Sequence, residues 1–114
     1  MKAVVVIPTY NERSNIIEVI EKIFALGLND LEVLVVDDNS PDGTAEVVKE
    51  LSLKYPIKLL SRAKKEGLGK AYVSAFKLIL SAQDKPDYII QMDADLSHNP
   101  KNILDFLHKI GEWD

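Results

Sequence analysis

The sequence has no cysteine. Disulfides, thiolate zinc sites, iron–sulfur clusters and a cysteine nucleophile are therefore excluded, and a reducing, cytoplasmic setting becomes permissible. It also lacks a basic excess: 14 Lys+Arg against 18 Asp+Glu leave a net charge of -4. Residues 1–57 hold five basic and ten acidic side chains, and residues 58–114 hold nine and eight. Neither half has the basic footprint of a nucleic-acid binder, so no nucleic acid is expected as a partner. Long hydrophobic runs are missing too. The apolar start, Ala3 to Pro8, is too short for a membrane span or a signal h-region. Aromatics make up 7% and form no ladder on which bases or sugars could stack. What remains, 46% hydrophobic and 28% charged over 114 residues, describes one globular domain over 1–114. At this length a chain buries above ~60% of its unfolded surface, enough for one core without a metal or disulfide staple.

Apolar runs alternate with amphipathic ones. Ala3 to Pro8 is β-branched and continuous, as in a strand covered on both faces. Ile16, Ile17, Val19, Ile20, Ile23 and Phe24 then recur at helical spacing, with Asn11 or Ser14 as cap and Gly27 as stop. A second strand, Leu31 to Val36, runs into Asp37 and Asp38. Ser40-Pro41-Asp42-Gly43 reads as a turn feeding a helix to about Leu53, capped by Asp42 or Ser40, with Ala45, Val47, Val48 and Leu51 on one face. Ile57 to Leu60 forms a third strand, followed by a basic, glycine-containing loop and a helix with Tyr72, Val73, Phe76, Ile79 and Leu80 as its buried stripe. Tyr88 to Met92 is a fourth strand, and Asn99-Pro100 opens a last helix carrying Ile103, Leu104, Phe106, Leu107 and Ile110. Four βα units predict an α/β fold, a parallel, doubly wound sheet with helices on both faces. Ligands of such sheets sit outside the carboxyl ends of the strands, where strand order reverses.

Polar residues gather at those ends. Carboxylates within ~4 Å of one another repel by about 1–4 kcal/mol, so such a cluster stays wet, shares protons or holds a cation. Oxygen ligands without Cys or His point to Mg or Mn, completed by water and substrate phosphates. Asp93-Ala94-Asp95 can hold one metal together with a diphosphate; the same residues read equally well as a solvated loop with Asp95 assisting a turn. For Asp37-Asp38, turn and cap chemistry is the more common role. Arg62, Lys64, Lys65 and Lys70, with Gly67 and Gly69, could present cations and helix N–H groups to a phosphate, or form a solvated charged loop. The segment is not a P-loop, because Lys64 and Ala71 stand where Gly and Ser or Thr are required, and no G-x-G-x-x-G follows the first strand. His98, His108 and Trp113 read as surface or packing residues.

Four segments in order, Pro8-Thr9-Tyr10-Asn11-Glu12, Val36 to Thr44 (VDDNSPDGT), Gly67-Leu68-Gly69-Lys70-Ala71 and Met92 to His98 (MDADLSH), resemble the inverting family 2 glycosyltransferases with the GT-A fold. The closest likeness is to members that charge a lipid phosphate with mannose. The resemblance implies a Rossmann-like αβα sandwich, GDP-mannose as donor and a dolichyl or polyprenyl phosphate as acceptor. It implies that Pro8, Tyr10, Glu12, Val36 and Asp38 surround the guanine nucleoside, with Asp37 as a supporting neighbour. Asp93 and Asp95 would be the catalytic DxD pair holding Mg or Mn on the diphosphate, and Ala94 would line the donor site. Some members have Gln where Ser97 stands, which leaves the third protein ligand open.

Family members continue past the position of Asp114 with the rest of the sheet and the acceptor half. Residues 1–114 are thus expected to be the N-terminal nucleotide-binding half, inactive in transfer alone, with an incomplete sheet whose open edge invites self-association. The expected location is the cytosolic face of a membrane, contacted through parts outside this sequence. Two alternatives stay open: within enzymes, a related polyprenyl-phosphate glycosyltransferase using UDP-glucose or another nucleotide sugar, and outside them, a non-catalytic nucleotide-binding fragment. A phosphoacceptor receiver domain is disfavoured, because its acids should follow the first and third strands, whereas here they follow the second and fourth.

Overall fold

Ala3–Thr9 forms the first strand, β1, because a β-branched run buried at nearly every position suits the middle of a sheet covered on both faces. It alternates with helices through α1 (Arg13–Phe24), β2 (Leu31–Asp37), α2 (Thr44–Leu51), β3 (Ile57–Ser61), α3 (Leu68–Ser81), β4 (Tyr88–Gln91) and α4 (Lys101–Lys109). The structure, a computed structural model, describes residues 2–64, 66–97 and 99–109. The expectations placed on Lys65, His98, Ile110 and Trp113, and on the side chains of Leu104, Phe106 and His108, lie outside the described residues.

All strand pairings are parallel, in the order β3-β2-β1-β4. Chain order moves outward from β1 to β3, then returns through α3 to the far side of β1. The reversal point therefore lies at the carboxyl end of β1. The alternation of side chains along each strand builds two cores. Val5, Ile7, Val33 and Val35 pack with Ile16, Ile20 and Ile23 of α1, Val48 of α2, and Ile103 and Leu107 of α4. On the opposite face Val4, Val6, Leu34 and Val36 pack with Ala71, Ala75 and Ile79 of α3. The predicted three-layer α/β architecture is the observed one.

Several local expectations change. The buried line of α3 is Ala71, Ala75 and Ile79, flanked by half-buried Tyr72 and Phe76, whereas Val73 and Leu80 are 50% and 59% exposed. Alanines at i and i+4 let the helix backbone approach the sheet, which pushes the larger residues to its flanks. Helix α2 stops at Leu51, two residues early, and β4 at Gln91, one residue early. Gly27 does end the chain's first helical passage: at φ 70° it donates its N–H to the Phe24 carbonyl at 3.3 Å. Asn99 caps α4, its Oδ1 accepting the Lys101 N–H at 3.0 Å. Neither Asn11 nor Ser14 caps α1. Its N-cap is Glu12, without a side-chain cap of its own, and the acceptors come from the loop after β2.

Candidate functional site

The strand ends meet around a cavity of about 270 Å³ at the order-reversal point. Pro8, Thr9, Tyr10 and Glu12 line it from the end of β1, and Asp38 from the end of β2. Gly67 and Ala71 contribute from the start of α3, and Asp93, Ala94 and Asp95 from the end of β4. A larger hollow of about 510 Å³ lies at the opposite, amino ends of the strands. Among the described residues that line it, the one cation, Lys2, is engaged by Glu32 and Asp84 at 3.7 and 3.1 Å, so the hollow offers no comparable convergence of chemistry.

The β1–α1 segment is shaped by its neighbour. Asn11 adopts φ 56°, a left-handed conformation that asparagine tolerates better than most residues, and the chain turns there into α1. Three successive backbone N–H groups are then accepted by three side chains of the 40–44 loop. Asn11 donates to Ser40 Oγ at 2.9 Å, Glu12 to Thr44 Oγ1 at 3.2 Å, and Arg13 to Asp42 Oδ2 at 3.1 Å. Asp42 Oδ1 also accepts the Thr44 N–H at 3.0 Å and the Thr44 hydroxyl, so one carboxylate serves the amino ends of α1 and α2. Burial pushes the Asp42 carboxyl up, but hydrogen bonds from the Thr44 hydroxyl and the Arg13 and Thr44 amides outweigh it and hold the group below 3.8.

Asp37 and Asp38 have separate duties. Asp37 is 1% exposed and accepts the Thr9 hydroxyl at 2.7 Å, the Ser40 hydroxyl at 2.6 Å and the Ser40 N–H at 3.0 Å. This is the turn chemistry that the sequence favours for it. Asp38 is also buried but faces the cavity, and its Oδ1 lies 3.4 Å from Arg62 Nε in an ion pair without a hydrogen bond. Arg62 reaches Glu66 at 3.4 Å, and Glu66 reaches Lys70 at 3.4 Å. The two cations, Lys70 first, hold the Glu66 carboxyl below its usual range. Arg62 thus pairs with Asp38 through Nε and with Glu66 through Nη2, while its buried Nη1 has no hydrogen-bond partner.

Val36 stands apart from the other strand-end residues. It is fully buried between Val4, Val6 and α3, and is not part of the cavity wall, because its strand position points it into the α3-side core. Thr9 and Ala71, which stand inside the sequence motifs without a site role of their own, also line the cavity. Thr9 continues the strand by one residue, and Ala71 begins the small-residue line of α3, signals that a hydrophobic pattern hides.

After β4 the chain turns at Leu96, φ 67°, and the Ser97 N–H donates to Asp95 Oδ1 at 2.9 Å. Asp95 thus assists a turn while lining the cavity. The Tyr72 phenol is pushed up by burial and by the Asp93 charge, so it stays protonated at neutral pH. Among the described residues no group of three or more His, Cys, Asp or Glu could hold a metal by itself. Two carboxylates at a solvent-reached cavity still fit Mg or Mn, hard cations that use one or two protein carboxylates and fill the remaining positions with phosphate oxygens and water.

Comparison with known proteins places this geometry in context. Residues 4–114 match the profile of the family described as Glycosyl transferase family 2. The chain is 45% identical over 112 residues to a dolichol-phosphate mannosyltransferase of Pyrococcus furiosus, covering 96% of this chain and 30% of that protein. A mannosyltransferase of Pyrobaculum calidifontis, solved with GDP-Man and Mn2+, superposes with a TM-score of 0.70 at 28% identity over 82% of this chain and 27% of the other. Residues 1–349 of TarS from S. aureus, solved with UDP-GlcNAc, superpose with a TM-score of 0.80 at 29% identity over 98% and 32%. The chain spans about 30% of the length of each of these matched chains.

Proposed function

The chain belongs to glycosyl transferase family 2, and from that premise we propose that it is the nucleotide-sugar-binding part of an enzyme transferring mannose from GDP-mannose to a dolichyl or polyprenyl phosphate. Asp93 and Asp95 carry this reading: they leave the end of β4 into the cavity that Pro8, Tyr10, Glu12 and Asp38 line, in a chain 45% identical to a dolichol-phosphate mannosyltransferase. In this reading Pro8, Tyr10, Glu12 and Asp38 receive the nucleoside, Ala94 lines the sugar-diphosphate path, and Asp93 and Asp95 hold Mg or Mn. Residues 1–114 form one nucleotide-binding unit, and acceptor binding belongs to chain outside it.

The acceptor phosphate is anionic at neutral pH, so attack on the anomeric carbon needs no general base, and direct displacement inverts that centre. When bound, the metal supplies Lewis-acid neutralisation of the charge on the departing diphosphate. The protein's own part is to orient the donor and to hold two carboxylates where that charge develops. No described helix is long and apolar enough to cross a membrane, and contact with the lipid acceptor is proposed to be peripheral, at the cytosolic face.

The TarS superposition favours a second reading, a uridine-nucleotide donor, because a carboxylate pair on a diphosphate does not distinguish the base. Calorimetric titration with GDP, GDP-mannose and UDP, each with Mn2+ and with excess chelator, separates the two. The expected result is metal-dependent binding that prefers GDP and is lost in Asp95→Ala. Preference for UDP would support the second reading, and metal-independent binding would overturn the roles of Asp93 and Asp95.

A further inference from the structure

The 40–44 loop reaches the cavity wall through two relays of the same design. In the first, the Ser40 hydroxyl donates to Asp37 Oδ1 at 2.6 Å and accepts the Asn11 N–H at 2.9 Å. In the second, the Thr44 hydroxyl donates to Asp42 Oδ1 and accepts the Glu12 N–H at 3.2 Å. A hydroxyl has one proton and two lone pairs. Because a carboxylate claims the proton in each case, the oxygen is left as a fixed acceptor aimed at a backbone amide, and the charge strengthens the bond that orients it. Both relays end on buried or half-buried groups: Asp37 is 1% exposed and Thr44 fully buried.

The two amides thus held, those of Asn11 and Glu12, belong to the turn that presents Tyr10 and Glu12 to the cavity, and the turn carries the left-handed Asn11. Asp42 secures the next amide, Arg13, directly, and its carbonyl accepts Arg13 Nη1 at 3.3 Å. Nothing in α1 itself caps these groups. We infer that Ser40 and Thr44 are positioning residues for the donor cavity: neither lines it, but through the Asn11 and Glu12 amides they fix where the Tyr10 and Glu12 side chains stand. Resting on the donor-site reading above, this gives the polar segment from Asn39 to the first residue of α2 a function beyond turn formation.

The test compares Thr44→Val, which keeps the shape and removes the hydroxyl, with Thr44→Ser, which restores it, and adds Ser40→Ala for the other relay. GDP affinity with Mn2+ and amide hydrogen exchange resolved at residues 10–13 are measured on each. Thr44→Val and Ser40→Ala should weaken GDP binding about tenfold or more and speed exchange at Glu12 and Asn11 respectively, while Thr44→Ser stays close to wild type in both. A purely structural role predicts a lowered unfolding midpoint with unchanged GDP affinity for the folded protein, and that result would overturn the inference. So would unaltered exchange at both amides. If the wild-type chain binds neither GDP nor UDP, the donor-site reading fails, and exchange at Asn11 and Glu12 still decides whether the hydroxyls hold the turn.

Discussion

At the scale of single residues, Arg62 holds the most tightly buried ion pair among the described residues. Its guanidinium is the counterion of a carboxylate 5% exposed, and removing one member of a buried pair leaves the other charge uncompensated. Arg62→Ala is expected to cost about 3–5 kcal/mol, read as a lowered urea midpoint at unchanged slope. A loss below about 1 kcal/mol would mean the pair behaves like an exposed one. Gly43 offers a second, smaller test. It sits at φ 87°, and a Cβ there would meet only ordinary contacts, the nearest being Arg13 Nη1 at 3.5 Å. Gly43→Ala should therefore cost about 1–2 kcal/mol of left-handed strain, without the larger penalty of a clash. Residues of this kind were partly legible beforehand. Asp93, Asp95, Tyr10 and Glu12 stand at strand ends, where the pattern of buried runs stops, so their meeting follows from topology. Val36 stands beside polar motif neighbours, and only strand alternation shows that its side chain belongs to the core.

Among the elements, the helix starts were the least legible. A cap is usually sought within a few residues of the helix, but α1 takes its acceptors from a loop about thirty positions away (|i−j| of 29 and 32). A one-dimensional reading has no signal for such a partner. Strands β1 and β2 were legible because they are buried on both faces and read as continuous apolar runs. The α3 stripe was misplaced because alanine carries little hydrophobic weight while allowing close approach to the sheet. Asp42 yields a pH prediction at this scale. Its folded carboxyl lies below the ordinary value of 3.8, so its contribution is complete above that value and disappears as pH falls through the lower folded one. Asp42→Asn should be less stable than wild type at neutral pH, with the gap narrowing below pH 3.8. A gap that is constant from neutral to strongly acidic pH would show that the charge does not contribute.

At the scale of the whole molecule, β4 is one edge of the sheet among the described residues. The Tyr88 and Met92 amides donate to Lys2 and Val6 of the neighbouring segment, so by alternation those of Ile89 and Gln91 point away from β1. Such an edge is a template for another strand. Sedimentation is expected to show association that rises with concentration, reduced in Gln91→Pro, which removes an outward N–H and leaves the β1 ladder intact; equal association by both proteins would place the contact elsewhere. The same strand order bears on how the molecule comes into being. Strands β1, β2 and β3 pair with sequence neighbours, whereas closing β4 onto β1 joins Lys2 to Asp87, 85 positions apart. Contacts across so long a loop form late, because the chain entropy lost in closing it must be met before the pairing rewards it. This topology predicts that the β1 and β2 walls of the cavity form before the Asp93–Asp95 wall, so if the cavity takes a nucleotide as proposed, the gain of nucleotide affinity in a refolding experiment should trail the gain of helical signal and mark the final step of the chain's maturation.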